Sequence, residues 1–237
     1  MAAIAHRNAF DQTGKADRES RYQNLIQKYK PADQGLFGKL HGMLVQALTD
    51  ERADILGQLY MELGASSAER GQYFTPPAIS NLLAGLTIDT DQIHHQIARR
   101  GFITLSEPAS GSGAMIIGFT NKMLDLQINY QQHLHVTLVD LDIRAVHMAY
   151  VQLSLLHVPA IVVHGNTLTV EEYSDWVTAA HHIGMFSRKL KRGFAIDSEM
   201  GAVYCGEGSA ESSDTAGMRL VARANQPNTA HQHATAL

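Results

Sequence analysis

The sequence predicts an α/β protein: a mostly parallel sheet wound with helices, entered through an N-terminal helical region. Three observations carry this expectation. Apolar residues recur at three- and four-residue steps through the first quarter of the chain. Short β-rich runs then alternate with helix-length amphipathic runs through the middle. A glycine-rich turn stands where the first of those runs ends and a helix begins.

Residues 1–20 are polar and are expected to form a flexible N-terminus. A helical lead-in spans 21–70, with Leu36, Leu40, Met43, Leu44 and Leu48, then Ile55, Leu56, Leu59 and Leu63, at helical spacing and a break at Pro31. The α/β domain is expected over 71–222. Thr75 and Pro76 have the form of an N-cap and first helical residue, opening a helix that buries Ile79, Leu82, Leu83 and Leu86. Strands are expected at 102–106, 134–139 and 160–164, with helices at 113–126 and 143–157 between them. Connections of that length join parallel strands. Past His164 the pattern weakens to a helix around 170–180 and a basic run, Ser187 to Arg192. That is too few strands to complete a doubly wound sheet, so the sheet reads as incomplete. Residues 223–237 are polar and read as a disordered tail.

Composition narrows the function classes. The 237 residues are 45% hydrophobic and 18% charged, with a formal net charge of −4, which excludes a chain coated in basic residues. A single cysteine, Cys205, excludes an internal disulfide framework and a cysteine-based zinc site. The histidine pairs 94–95, 133/135, 181–182 and 231/233 match no helix-borne metal spacing, so no metal is expected. No apolar run approaches the roughly 20 residues that span a bilayer, and the N-terminus lacks a signal-peptide core. A cytoplasmic protein with no membrane partner is expected.

The chemistry concentrates in Glu107-Pro108-Ala109-Ser110-Gly111-Ser112-Gly113, at the carboxyl end of the first strand, where open α/β folds bind ligands. A phosphate-cradling loop would need Gly-Lys-Ser/Thr, which is absent. A dinucleotide loop would want a third glycine where Ile116 stands. Glu107 would repel a pyrophosphate but suits the ammonium group and sulfonium end of S-adenosylmethionine (SAM). Asp140, ending the second strand, is placed to accept hydrogen bonds from both ribose hydroxyls, and Asp142 is the better helix N-cap.

Residues 107–113 resemble the Asp-Pro-Ala-Cys-Gly-Ser-Gly motif of adenine-N6 DNA methyltransferases, most closely the modification subunits of type I restriction systems. Gly71-Gln72-Tyr73-Phe74-Thr75-Pro76 resembles the segment preceding that motif. Val139-Asp140-Leu141-Asp142 resembles the ribose motif, and Gly165-Asn166-Thr167-Leu168 the family's Gly-Asp-Thr-Leu. The likeness covers roughly residues 50–168 in the family's order. It implies a SAM-dependent methyltransferase (Rossmann-like) fold, SAM as cofactor, DNA as partner, and a candidate protein partner of restriction-modification type. It also implies a cofactor site of Tyr73, Phe74 and Thr75 over the methionine end, with Glu107, Ala109, Gly111, Gly113, Asp140 and Leu141. There Asn166 would meet the adenine amino group through its acceptor oxygen.

The family's target-base motif, Asp/Asn/Ser-Pro-Pro-aromatic, has no counterpart. The prolines are 31, 76, 77, 108, 159 and 227, none of them between 170 and 225. Tyr173, Asp175 and Trp176 stand in that region instead: an aromatic ring to stack on a flipped base, a carboxylate to accept from its amine, or an amphipathic helix with a half-buried tryptophan. Two functions are therefore carried forward. One is adenine-N6 methylation of DNA with an atypical base-binding element; the other is a non-catalytic SAM-binding accessory or decoy of restriction–modification machinery.

Overall fold

The computed structural model describes residues 1–64 and 89–206. Tyr73, Phe74, Thr75 and the helix expected at 79–86 lie outside the described residues, as does the 223–237 tail.

Four helices lead in: α1 (Ala2–Phe10), α2 (Lys15–Ile26), α3 (Pro31–Asp50) and α4 (Ile55–Glu62). Pro31 is the first residue of α3, where its missing N–H costs nothing. The first twenty residues are not a loose end: α1 packs on a later helix and buries Ala3, Ile4 and Asn8. Their polar side chains hold the turn. Arg18 donates to Asn8 (2.8 Å) and to the carbonyls of Thr13 (2.6 Å) and Asp11 (2.5 Å), while Arg7 pairs with Asp11 at 3.0 Å. Composition reads these groups as solvated, whereas the fold uses them to pin the turn between α1 and α2.

The sheet domain runs α5 (Thr90–Arg100), β1 (Ile103–Glu107), α6 (Ala114–Asp125), α7 (Tyr130–His133), β2 (Leu134–Asp140), α8 (Ile143–Leu155), β3 (Ala160–Asn166) and β4 (Glu171–Val177). It closes with α9 (Ala179–Ile183), α10 (Phe186–Arg192) and α11 (Glu199–Gly206). The order is β1-β2-β3-β4, with β1, β2 and β3 parallel and β4 antiparallel to β3. This is a mixed α/β architecture with a largely parallel sheet. Among the described residues β1 pairs only with β2, so the glycine turn lies at the sheet's edge rather than between two halves.

Alternation along β2 explains the layering. Leu134, Val136 and Leu138 enter one core with Ile116, Ile117, Phe119 and Met123 of α6 and Val146, Ala149, Tyr150 and Leu153 of α8. His135, Thr137 and Val139 face the other way. There His135 meets His181 and Phe186, and a small second core joins Phe102, Phe186 and Ala195.

The helix expected at 170–180 is a strand as far as Val177. Its burial decides this: Trp176 is 4% exposed, opposite Val162, with its ring against His147 (4.5 Å) and Tyr150 (5.3 Å) and Arg7 over it. The half-buried tryptophan is thus a core residue and is not free to stack on a base. Among the described residues no helix is long and apolar enough to cross a membrane.

Candidate cofactor site

β1 ends on Glu107, and the chain then turns through Gly111 (φ +53°) and Gly113 (φ +94°) into α6. Both conformations favour glycine, because a Cβ there would crowd its own carbonyl. The loop is tied to its neighbours at three points. The Ser110 N–H donates to the Val139 carbonyl (3.0 Å), the Gly111 N–H to Asp140 Oδ2 (2.8 Å), and the Thr167 hydroxyl to the Pro108 carbonyl (2.6 Å). Glu107, Gly111, Gly113 and Asp140 therefore meet at one carboxyl edge, together with Ala109, whose N–H donates to Glu107 Oε1 at 3.2 Å.

Asp140 is a brace as well as a candidate ligand, since its Oδ1 accepts from the Asp142 N–H at 2.8 Å. Each carboxylate oxygen has a second lone pair, so ribose hydroxyls still find acceptors. Asp142 caps α8 by accepting from the Arg144 N–H (2.9 Å), and Arg144 pairs with it at 2.6 Å. Leu141 follows Asp140 with 63% of its surface exposed, an apolar side chain beside the acid. These groups fit SAM: a carboxylate for its cationic end, a side-chain-free turn, an acid at ribose height and an apolar ledge.

Asn166 departs from the role that the resemblance implies. Its Oδ1 accepts from the Leu168 (3.0 Å) and Thr169 (3.4 Å) N–H groups, so it shapes the turn. Of the residues in the place of the target-base motif, Tyr173 is exposed on β4, its ring 5.0 Å from His164 and its hydroxyl 3.2 Å from Glu171. Asp175 is exposed and its carbonyl accepts from Arg7.

One part of the site escaped sequence reading. Asp54 is buried (4% exposed) and accepts from the Gly57 N–H (2.9 Å), the Gln152 amide (2.8 Å) and the Ser112 hydroxyl. Gln152 also donates to the Ser112 carbonyl (3.0 Å) and accepts from the Leu56 N–H (2.9 Å). The glycine turn, the start of α4 and α8 are thereby locked together. A Cβ at Gly57 would collide with Asp54 and Ser112. An N-cap aspartate ahead of Ile55 is the visible signal, but its partners are 58 and 98 residues away.

Comparison with known families decides the lineage. The profile described as N-6 DNA Methylase matches residues 50–184, more than half of the chain. The chain belongs to the N-6 DNA methylase family. No curated protein and no solved structure gives a match. The matched span runs from the end of α3 through the Asp54 lock, the glycine turn and the Asp140 tip to the end of α9, so it contains every described cofactor-site residue above. Membership supports a DNA N6-adenine methyltransferase-like function for this chain.

Proposed function

We propose that this chain binds SAM at the carboxyl edge of β1 and β2 and serves the methylation of adenine N6 in DNA. The observation that carries the reading is the convergence of Glu107, the Gly111–Gly113 turn and Asp140, with Asp140 holding the Gly111 N–H at 2.8 Å. Bound there, SAM supplies a methyl group made electrophilic by its sulfonium. Glu107 faces the cationic end, where a carboxylate in a partly desolvated crevice gains most from opposite charge. Asp140 orients the ribose, the glycine turn lets the backbone approach, and Leu141 lies along the base. Tyr73, Phe74 and Thr75 belong to this proposal through the family segment, as cover for the methionine end.

A second reading has its own support. Trp176 is buried and no Pro-Pro-aromatic segment stands in this sequence, which favours a cofactor-binding accessory acting with restriction–modification machinery.

The deciding experiment incubates the protein with methyl-labelled SAM and unmodified duplex DNA, beside calorimetric titration with SAM. Label in N6-methyladenine, abolished by Asp140→Ala, supports the enzyme. Affinity without transfer supports the accessory. Absence of any affinity for SAM or its demethylated product refutes both.

A further inference from the structure

We propose that the amino end of the sheet carries a docking surface for double-stranded nucleic acid, separate from the cofactor crevice. It is built from Arg99, Arg100, Arg188, Lys189, Lys191 and Arg192. These are six of the chain's nineteen lysines and arginines, brought to one place in a protein whose net charge is −4. Sequence supplies two separate clusters, and the fold joins them. Arg100 Nε donates to the Gly193 carbonyl at 2.8 Å, the Ala195 N–H donates to the Arg100 carbonyl at 2.8 Å, and Phe102 meets Phe186 edge-on at 5.7 Å.

The cations are held, and they are not neutralised. Lys189 sits 4.5 Å above the Phe186 ring, Arg192 5.2 Å above Phe194 and Arg100 5.5 Å above Phe102. None of the six has a carboxylate at ion-pair distance among the described residues. The acids in the stretch after α10 are Asp197, which acts on Lys189 at longer range, and Glu199. The Lys189 ammonium is held below its usual range by burial first, Asp197 opposing and Arg192 adding to the effect. Part of the charge answers the carboxyl ends of α5 and α10, which both terminate here. Each helix end carries roughly half a negative charge, so about one of six positive charges is balanced that way.

What remains is a patch whose complement is a polyanion. Four of the six are arginines, whose forked guanidinium matches a phosphate in two hydrogen bonds. The family's substrate, DNA, presents such phosphates at regular spacing. The patch lies at the start of β1 and β2 and the cofactor loop at their far end. Seven residues of strand put about 20 Å between them. The surface concentrates or orients DNA and does not itself hold the target base.

The test uses the full chain and a fluorescent duplex of about 25 base pairs, with anisotropy titrations between about 50 and 200 mM salt. The variant is Arg99→Gln/Arg188→Gln/Lys191→Gln, which changes exposed side chains that make no hydrogen bond or ion pair among the described residues. Circular dichroism and SAM affinity by calorimetry accompany it. We expect affinity to fall at least about tenfold and the log–log salt slope to drop by roughly 2 to 3, with SAM affinity unchanged. Three results overturn the proposal: no duplex binding by the parent chain, duplex binding unaltered in the variant, or binding confined to phosphatidylserine vesicles. SAM affinity is read separately, so failure of this surface and failure of the cofactor reading are told apart.

Discussion

Replacing Asp54 by alanine is the sharpest test of how the cofactor turn is held. The carboxylate accepts three hydrogen bonds, from the Gly57 N–H, the Gln152 amide and the Ser112 hydroxyl, all within buried surroundings. Alanine leaves three donors without an acceptor, each costing about 1–3 kcal/mol when it stays dry. These costs are not additive, because water enters part of the space, so about 3–5 kcal/mol is expected. For a chain of this size each kcal/mol moves Tm by about 2–4 °C, so calorimetry should show a loss of roughly 6–20 °C. The conservative change Asp54→Asn keeps one acceptor for the N-cap bond and should lose about half as much. SAM titration at a temperature where all forms stay folded should show weaker affinity in Asp54→Ala, because Ser112 belongs to the turn proposed to seat the cofactor. A Tm loss below about 2 °C would refute the lock.

Three further outcomes follow from the same geometry. Burial pushes His135 down to about 3 and His181 to about 4, with each histidine's imidazole neighbour (His181 and His182) adding to the effect, and the two rings share a 2.9 Å hydrogen bond. The unfolded chain takes up protons below about 6.5 that the folded chain refuses, so stability falls as pH drops from there toward 4, by roughly 1 kcal/mol per pH unit for each histidine. Denaturation at stepped pH checks this, and a flat profile in that window contradicts it. Trp176→Ala should cost about 3–5 kcal/mol in urea melts, as loss of a core aromatic does. A variant that melts like the parent yet loses methyl transfer would instead make Trp176 a base-stacking residue. The Ser110 hydroxyl is buried without a partner among the described residues, so Ser110→Cys should leave Tm unchanged or raise it, and a fall of several degrees would expose a missing acceptor.

Much of the fold is legible in the sequence because its determinants are local. Alternation in Leu134-His135-Val136-Thr137-Leu138 marks a strand with one apolar face, and that is β2. The spacing of β1, β2 and β3 with helices between them requires parallel pairing, and they pair so. α5 has a complete local signature that composition obscures: an Asp89 cap accepting from Gln92, Ile93 and Ile97 in register, Arg99 and Arg100 in the last turn, and Gly101 at φ +83°. β4 reads as a helix in the sequence because Glu171 to Val177 carries no clean period. Its conformation is set by pairing with β3 and by burial of a single residue, Trp176.

The sequence by itself determined the lineage and the candidate cofactor crevice, since a glycine turn after one strand and an acid at the tip of the next are contiguous motifs whose backbone demands are local. Tertiary structure alone decided two things. Asp54 and Gln152 hold the glycine turn, and Trp176 lies in the core rather than at a base. Each depends on hydrogen bonds or burial between residues whose orientation only the packed chain supplies. Linear spacing carries no record of which donors end up dry, and that is where their energies reside.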